Sequence, residues 1–487
     1  GNPIIKTPHL DRFARESLQL TNFHVGTTCT PTRAGLMTGR NANRNNCWHT
    51  IAGCSILLER EQTIAEVFSE NGYRTAMIGK WHLGDNYPYR PHDRGFDTAI
   101  YHKGGGVGQT PDYWNNDYFD DTYFVNGNPQ AFKGYCTDVW FDQAIKLIDD
   151  QPNQPFFLYL ALNAAHGPFN VPPDYLKIYE EAALTDRQKR FYGMISNIDH
   201  NFGKLRAHLA ANDLERNTIL IFTTDNGTAA GIEQTDEGTL GFNAGLRGIK
   251  GSHYDGGHRV PFFMRWPDGG IEPYKNPKLY SHVDLLPTLS ALAGIDYRST
   301  NILDGMDVAE SLTDTSKYHS RMLVVDTQRN QWPEKHRNSC VMDGDWRLMD
   351  GVELYHLAND LGQNQDVSSQ FPEKVKEMSE FYHDWWNSIQ PDLEYAQIPV
   401  GSNQEEVLIT IHDLHTTDGL PWHQNMIREA KFHPEGFYSI KIVSEGNYQL
   451  ALSRYPFEAG KSLNATIPAV SALDYQNGMP AGAALEI

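Results

Sequence analysis

The chain has 487 residues and a formal charge of −20, from 41 Lys and Arg residues against 61 Asp and Glu residues. This acidic composition excludes a general nucleic-acid binder, because the phosphate backbone requires a cationic surface. Hydrophobic residues form 40% of the chain and charged residues 21%, which excludes wholesale disorder and indicates a large globular core. No uninterrupted apolar run reaches the roughly 18 residues of a membrane-spanning helix, so we predict no membrane span.

The first part of the sequence alternates helical and strand patterns. Continuous apolar runs of strand length are typical of parallel strands that are buried on both faces. In chain order we predict a helix from Thr7, a helix over 62–71, a strand over 73–79, a helix over 137–150, a strand over 155–162, a helix over 185–212, a strand over 218–224 and a helix over 284–293. This order predicts an α/β domain over residues 1–314, with a mixed, mostly parallel sheet sandwiched by helices.

The pattern changes after Gly294. Short strands with Asp-Gly turns are typical of an antiparallel sheet, and a later helix would pack on it. The strands are predicted at 323–326, 340–349 and 353–357, and the helix at 372–386. We therefore predict a smaller antiparallel α+β subdomain over 315–400. Strand patterns at 407–411, 436–443 and 446–453 predict a β-sandwich-like accessory domain over 401–487.

Polar side chains follow each strand predicted in the first domain. Lys80 and His82 follow the first strand, His166 follows the second, and Asp225 and Asn226 follow the third. Because ligands bind beyond the carboxyl ends of strands in open α/β sheets, we expect these side chains to meet at one edge. Each residue alone is more often structural. Together, a Lys, two His and an oxygen pair suited to a hard cation predict an anion-hydrolysis site.

The most specific segment is Cys29-Thr30-Pro31-Thr32-Arg33, followed by Thr38-Gly39-Arg40. It resembles the signature of the formylglycine-dependent sulfatases, arylsulfatase-like members of the alkaline phosphatase superfamily, in which the Cys is oxidised to formylglycine. The segments 79–84, 225–226 and 248–257 resemble further motifs of this family in the same order, and the resemblance covers roughly residues 1–395. Cys29 is one of five cysteines, an odd number, so at least one thiol is free.

The resemblance implies a nucleophile and three cationic residues around it. The hydrate of formylglycine at Cys29 would attack sulfur, because it has one hydroxyl to attack and a second to expel the product, whereas a thiol adduct has no easy release. Lys80 and Lys250 would neutralise sulfate oxygens. Arg33 would hold the nucleophile by hydrogen bonding.

The resemblance also implies proton-transfer residues and a metal. His166 would protonate the departing alcohol, and His82 would act as the base when inorganic sulfate is expelled. Asp225 and Asn226 resemble the family's distal metal ligands, which implies a divalent cation, with Ca²⁺ as the first expectation.

One family feature has no counterpart in this sequence. The family supplies two adjacent Asp ligands upstream of the Cys, and no Asp-Asp pair precedes Cys29. We interpret the difference as a truncation, because the downstream catalytic positions all match. For this chain we expect weak or no cation binding and little activity.

The loop over 102–122 is Gly-rich and then aromatic and acidic, which favours a sugar-binding surface. His102 and Trp114 are its candidate substrate-binding residues, and an ordinary packed loop is an equal alternative. Arg247 and His253, on either side of the late lysine, would contact sulfate or a substrate carboxylate, with a structural salt bridge as the alternative.

The expected substrate is a sulfated carbohydrate, with an aryl sulfate as surrogate. The resemblance implies a formylglycine-generating maturation enzyme as partner and a periplasmic or extracellular location. Two alternatives stay open. One is a phosphoester or phosphonate monoester hydrolase of the same superfamily, since tetrahedral anions are alike to Lys, His and a cation. The other is a non-catalytic protein that binds sulfated glycans.

Overall fold

We describe the protein from a computed structural model that covers residues 2–150, 154–236, 238–402 and 406–484. Its strands, in chain order, are β1 (Leu18–His24), β2 (Arg74–Lys80), β3 (Thr98–His102), β4 (Thr122–Val125), β5 (Asn128–Ala131), β6 (Phe156–Ala161), β7 (Leu220–Thr223), β8 (Ile232–Thr235), β9 (Gly238–Gly241), β10 (Phe262–Arg265), β11 (Tyr274–Ser281), β12 (Met322–Asp326), β13 (Ser339–Asp343), β14 (Trp346–Met349), β15 (Glu353–His356), β16 (Ile398–Val400), β17 (Leu414–His415), β18 (Phe437–Tyr438) and β19 (Ile440–Ile442). Its helices are α1 (Pro8–Arg15), α2 (Cys29–Thr38), α3 (Ile64–Glu70), α4 (Cys136–Asp150), α5 (Pro173–Lys177), α6 (Asp186–Ala211), α7 (Asp255–His258), α8 (Leu285–Leu292), α9 (Ala309–Thr313), α10 (Pro372–Ile389) and α11 (Gln424–Glu429). None of these helices is both long enough and apolar enough to cross a membrane.

Two sheets form the centre of the α/β part. The first has the strand order β5-β4-β3-β2-β6, in which β2 is parallel to both β3 and β6. The second has the order β11-β1-β10-β7, in which β1 is parallel to β11 and antiparallel to β10. Helices α1, α4 and α6 cover the sheets through a core that includes Phe13, Phe141 and Phe202. The predicted mixed α/β fold with flanking helices is confirmed. The expectation of mostly parallel pairing is wrong for these two sheets, since three of their seven described strand pairs are parallel and four are antiparallel.

The edge strands β6 and β7 border a large apolar cavity. Among the residues that the structure describes, each pairs on one side only, β6 with β2 and β7 with β10. The cavity has a volume of about 1250 Å³, and side chains such as Phe156, Leu160 and Phe222 line it. The apolar runs predict strands buried on both faces, but both strands are half-buried, because the cavity lies along them. The carboxyl ends of both strands lead to the polar end of this cavity.

The antiparallel sheet and its helix have the predicted form. Strands β12 to β15 pair in sequence order, each antiparallel to the next. Helix α10 packs on this sheet with Met378, Tyr382 and Trp386, which share a core with Val341 and Leu348. The exact boundaries of the subdomain at 315 and 400 stay predictions.

The predicted β-sandwich over 401–487 is wrong for the residues that the structure describes there, 401–402 and 406–484. Two short ladders occur, β16 with β19 and β17 with β18. The segments 407–411 and 446–453 contain no strand, and every residue from 446 to 453 is exposed. Their apolar alternation has no second sheet to pack against. Leu414 and Leu420 instead pack on Ala52, so this C-terminal region covers the α/β part.

Candidate active site

Cys29 lies at the start of a helix. It is the first residue of α2, is 3% exposed, and follows β1 after a short turn. The first N–H groups of a helix have no intrahelical partner and carry a partial positive charge, which favours an anionic ligand or a thiolate. Arg33 is four residues later, on the same face of the helix. The spacing of the Cys-x-Pro-x-Arg motif therefore places both side chains toward one site.

Lys80 and His82 reach this site from the end of β2. Gly79 has a φ of 109°, and a Cβ at this position would lie 2.1 Å from the carbonyl oxygen of Ala161. Only glycine allows β2 to approach β6 so closely there. Lys80 follows directly and is 2% exposed. The hydroxyl of Thr30 donates to the carbonyl of His82 at 3.2 Å, which ties this segment to α2.

Lys250 reaches the site from a loop that is held at both ends. Its N–H donates to the carbonyl of Thr228 at 3.0 Å. The N–H of Gly251 donates to the carbonyl of Thr27 at 2.8 Å. Thr27 lies two residues before Cys29, so the late lysine segment and the cysteine turn are fixed to each other.

The cationic groups change the acidity of Cys29. Burial raises the pKa of its thiol, but the two lysines and His82 outweigh burial and hold the pKa well below its usual value. Burial lowers the pKa of Lys80 to about 8. The other four cysteines have pKa values raised by burial: Cys47, Cys54, Cys136 and Cys340. Cys29 is thus distinguished from them by a cationic environment, which also suits a sulfate group.

An ion pair connects α2 with the end of β7. Arg33 donates from Nη2 and Nε to Oδ2 of Asp225, at 2.7 and 3.1 Å. Its Nη1 donates to the carbonyl of Lys80 at 2.5 Å. Burial raises the pKa of Asp225, yet Arg33 and the two lysines outweigh burial and hold it well below its usual value. Arg33 therefore joins the three segments that carry Cys29, Lys80 and Asp225.

Backbone hydrogen bonds set the tautomers of the two histidines. Nε2 of His82 is 2.7 Å from the carbonyl of Thr50 and must donate to it, so Nδ1 holds the lone pair of the neutral ring. This Nδ1 is buried and has no hydrogen-bond partner in the described part of the chain. Nδ1 of His166 is 2.8 Å from the carbonyl of Gly167, which leaves Nε2 free for proton transfer. Burial and the two lysines hold the pKa of His166 well below its usual value.

Asp225 and Asn226 offer oxygen atoms to a cation. The side-chain N–H of Asn226 donates to the carbonyl of Gly227 at 2.8 Å, while its Oδ1 is buried and has no partner within the described ranges. An unpaired amide oxygen next to a carboxylate is the donor type that Ca²⁺ binds. Ca²⁺ binds roughly six to eight oxygen atoms, and these two residues would supply part of that coordination shell.

One cluster of three metal-ligating side chains occurs in the described part of the chain, and it lies elsewhere. It consists of His24, Asp255 and His258. The carboxylate of Asp255 is paired with Arg347 at 2.8 Å, and Nδ1 of His24 is hydrogen-bonded to Nδ1 of His258 at 2.8 Å. The guanidinium of Arg347 already supplies the positive charge for this carboxylate, so we interpret the cluster as a structural network that joins α7 to β1 and β14.

The structure places Arg247 and His253 beside the antiparallel sheet β12–β15 and the loop that follows it. Arg247 donates to the carbonyl of Gln363 at 2.8 Å, and its guanidinium lies 3.8 Å from the ring centroid of Tyr254. His253 is 3.3 Å from the carboxylate of Asp350. These contacts agree with the structural alternative stated for both residues, and their predicted role in substrate binding stays untested.

His102 and Trp114 lie in different surroundings. His102 is fully buried at the end of β3, and burial, assisted by nearby cations, lowers its pKa to about 3. The ring of Trp114 contacts the guanidinium of Arg428 at 4.8 Å and the ring of Tyr455 at 5.4 Å. The contacts of Trp114 are thus with the C-terminal region, and its role in binding a sugar stays a prediction.

Two contact residues of the site escaped the sequence analysis. Tyr159 accepts a hydrogen bond from Nη1 of Arg33 at 3.4 Å, and Thr50 orients His82 as described above. Tyr159 lies within an apolar strand run, where a tyrosine is the one polar position. That was the available signal. Thr50 acts through its backbone, which no residue type reveals.

Comparison with known proteins identifies the class. The sulfatase family model matches residues 1–295. Arylsulfatase G of Mus musculus is 32% identical over 358 residues, which cover 65% of this chain and 66% of that protein. The uncharacterized sulfatase YdeN of Escherichia coli (strain K12) is 28% identical over 455 residues, which cover 80% of this chain and 77% of that protein.

A solved structure shows the same likeness in three dimensions. The crystal structure of Ps i-CgsB in complex with k-i-k-neocarrahexaose has a TM-score of 0.71 and 26% sequence identity, and covers 81% of this chain and 89% of that one. Fold, site and sequence therefore agree, and the chain belongs to the sulfatase family. It spans just under two thirds of the length of arylsulfatase G.

Proposed function

We propose that this protein hydrolyses sulfate monoesters, with a carbohydrate as the natural substrate. The observation that carries the proposal is the convergence of a low-pKa Cys29 with two lysines and two oriented histidines. These groups come from segments far apart in sequence. A sulfate ester has anionic oxygens, a sulfur atom open to attack and a leaving oxygen. This arrangement has cations for the first, a nucleophile position for the second and a proton donor for the third.

The lysines bind the sulfate oxygens. Lys80 is buried and lies at the end of β2, while the loop of Lys250 is fixed to the turn before Cys29. Because both ammonium groups are in place before substrate arrives, they stabilise charge on sulfur-bound oxygens without rearrangement. Arg33 acts by positioning, since it holds the carbonyl of Lys80 and the carboxylate of Asp225.

The two histidines move protons at opposite ends of the reaction. His82 has its lone pair on Nδ1 and accepts a proton from the group at position 29. His166 is neutral in the free site, because burial and the lysines lower its pKa. A bound sulfate brings negative charge beside those lysines and raises the pKa of His166. Its Nε2 then takes up a proton from solvent and donates it to the leaving oxygen, so that the alcohol departs as a neutral molecule.

Two groups outside the unmodified chain complete the site. The sulfatase family generally uses formylglycine and a divalent metal, and we assign them to Cys29 and to the oxygens of Asp225 and Asn226. When present, formylglycine at position 29 would supply a hydroxyl nucleophile, and a cation held by Asp225 and Asn226 would supply Lewis-acid chemistry to the sulfate group. Ca²⁺ is the ion that this all-oxygen donor set favours.

The carbohydrate assignment is supported by the related structure. The structure of Ps i-CgsB contains an oligosaccharide, neocarrahexaose, and matches most of this chain. Sulfated polysaccharides occur outside cells, so we assign the protein to the periplasm or the extracellular space. Its maturation would require a formylglycine-generating enzyme.

Parallel assays test the proposal. The protein, produced together with a formylglycine-generating enzyme and supplied with Ca²⁺, is incubated with aryl sulfate and aryl phosphate esters, beside Cys29→Ala and the matched Cys340→Ala control. Because the cation site of this chain is expected to be weak, we expect slow release of inorganic sulfate at about 10 mM Ca²⁺, which Cys29→Ala reduces to the background rate and Cys340→Ala leaves in place. Faster release of phosphate would support a phosphoester hydrolase instead. Binding of sulfated glycan without turnover would support a non-catalytic protein.

A further inference from the structure

A second cavity lies where three distant segments meet. It has a volume of about 560 Å³ and is lined by residues of 49–52, of 329–337 and of 416–432. The last segment belongs to the C-terminal region that covers the α/β part. We call this space the C-terminal cavity.

The walls of the C-terminal cavity are directly connected to the active site. Thr50, next to the lining residue His49, orients His82 through its carbonyl at 2.7 Å. On the other side, the guanidinium of Arg329 lies 3.8 Å from the position of a Cβ on Gly251, the neighbour of Lys250. The C-terminal cavity therefore lies next to residues that contact or adjoin His82 and Lys250.

Arg329 is an exposed cation without a partner. Its neighbours Arg321 and Arg337 pair with Asp284 and Glu334, whereas none of the ion pairs found among residues 2–150, 154–236, 238–402 and 406–484 includes Arg329. Its φ of 41° places it in the left-handed region, which a non-glycine residue rarely adopts. Arg337 also lines this cavity but is paired with Glu334, so Arg329 is the lining arginine available to an anionic ligand, whose oxygens its guanidinium would bind as a fork.

The remaining walls suit a sugar ring. Nδ1 of His49 accepts the N–H groups of Thr50 and Ile51 at 2.7 and 3.1 Å, so the neutral ring has its proton on Nε2 as a donor. Trp422 is 42% exposed and offers a flat apolar face of the kind on which sugars stack. A cation, a hydrogen-bond donor and an aromatic face thus line the same cavity. Its volume is within the range of several hundred Å³ that is usual for small-molecule sites.

The amide wall has unused hydrogen-bonding capacity. The side-chain nitrogens of Asn330 and Gln331 donate to Glu334 at 3.0 Å and to the carbonyl of Thr416 at 2.6 Å. Their oxygens Oδ1 and Oε1 are buried without partners. Asp418 also lines the cavity, and one of its oxygens accepts a backbone N–H at 2.9 Å. Hydroxyl groups, directly or through water, would satisfy such acceptors, and an anionic group would bind at the Arg329 side.

We propose that the C-terminal cavity binds a sugar residue adjacent to the sulfated one, with an anionic substituent of that residue on Arg329. The proposal rests on the proposed function and specifies its substrate as an anionic oligosaccharide of two or more residues. The C-terminal region then has a part in substrate choice, since it contributes Trp422 and Asp418 to the site.

Titration calorimetry of the Cys29→Ala protein tests this assignment without turnover. The probes are hexasaccharides from carrageenan and from chondroitin sulfate, a neutral cellohexaose, and galactose 6-sulfate as a monosaccharide. We expect at least one sulfated hexasaccharide to bind tenfold or more tightly than galactose 6-sulfate, and cellohexaose not to compete. Adding Arg329→Gln to Cys29→Ala should weaken hexasaccharide binding by about tenfold, because one charge-assisted contact is lost.

Two further variants serve as controls. Arg329→Lys should retain part of the affinity, and Arg298→Gln, at an exposed arginine paired with Asp296, should retain all of it. Equal affinity of the Arg329→Gln and Arg298→Gln proteins would overturn the proposal, as would hexasaccharides that bind no better than the monosaccharide. If the unsubstituted protein still hydrolyses aryl sulfates, either of these results would overturn only the cavity proposal and would leave the proposed function unaffected. If the unsubstituted protein, converted to formylglycine, does not hydrolyse aryl sulfates at all, that result would instead count against the proposed function.

Discussion

The two walls of the Cys29 site differ in how completely they are built. On the cationic wall, Lys80 is buried, Lys250 is fixed through its backbone, and His82 has one tautomer. On the oxygen-donor wall, Asp225 and Asn226 offer two ligand positions beside an apolar cavity of about 1250 Å³. A site for the sulfate group is therefore organised by this chain itself. A tight cation site needs more oxygens than these two residues provide.

Arg33 connects the two walls, so its removal should lower the stability of the fold more than any other single substitution considered below. Arg33→Met leaves the carboxylate of Asp225 without its partner in a largely buried site. We expect the free energy of unfolding, measured by urea denaturation at pH 7, to fall by about 3 kcal/mol. The double variant Arg33→Met/Asp225→Asn should recover part of this loss. A loss below about 0.5 kcal/mol in the single variant would show that the pair does not hold the walls together.

Acid should weaken the same pair. The pKa of Asp225 is lower in the folded protein than in the unfolded chain. The pair therefore stabilises the fold at pH values above about 4, the unfolded value for Asp, and this stability is lost as pH falls toward the folded pKa. Between pH 7 and pH 3, the wild-type protein should lose more stability than the Arg33→Met/Asp225→Asn variant. Equal losses would contradict the assignment.

His166 serves the leaving oxygen, so its replacement should depend on the leaving group. His166→Asn should reduce the rate about a hundredfold for a sugar sulfate, whose alcohol leaves poorly without a proton. The reduction should be several times smaller for 4-nitrophenyl sulfate, whose phenolate leaves easily. His200→Asn, at an exposed histidine on α6, is the matched control. Equal reductions for both substrates would exclude His166 as the general acid.

The cationic wall can be measured in the unconverted protein through its thiol. At pH 7 Cys29 should react with iodoacetamide before the other four cysteines, because its pKa alone is lowered. Lys80→Met should raise this pKa and slow alkylation by about tenfold, whereas Lys133→Met, at a lysine that is 90% exposed, should not. Alkylation of another cysteine first, in the folded protein, would contradict the electrostatic account.

The oxygen-donor wall should give the smallest effect. With two ligand residues we expect Ca²⁺ to bind with a millimolar dissociation constant, so that about 10 mM Ca²⁺ stabilises the fold by roughly 1 kcal/mol. Asn226→Ala should remove most of this shift in a thermal unfolding scan, while Asn359→Ala, at an exposed asparagine, should not. Micromolar Ca²⁺ affinity that survives Asn226→Ala would place the cation elsewhere.

The sequence predicted those features of the fold and the site that depend on residues close together in the chain. The Cys29 motif and the polar residues after β2, β6 and β7 all follow from neighbouring residues. The predicted contacts of Arg247 and Trp114 depend on partners far along the chain, and no spacing reveals those. The strand prediction at 446–453 was wrong because alternation alone does not specify a partner sheet. The C-terminal cavity was not foreseen for the same reason, since its walls come from three distant segments.

The most direct test of the account is the mass of the tryptic peptide that contains Cys29, residues 16–33, from protein produced with an active formylglycine-generating enzyme. Conversion of the thiol to the aldehyde lowers the mass by about 18 Da, and we expect most of the peptide to have this mass. In an Arg33→Ala protein, whose motif is incomplete, trypsin no longer cleaves after position 33, so Cys29 lies in the longer peptide 16–40. This peptide should retain the unconverted thiol. An unmodified thiol in the unsubstituted protein, with the enzyme shown to be active on another sulfatase, would contradict the assignment of Cys29 as the nucleophile.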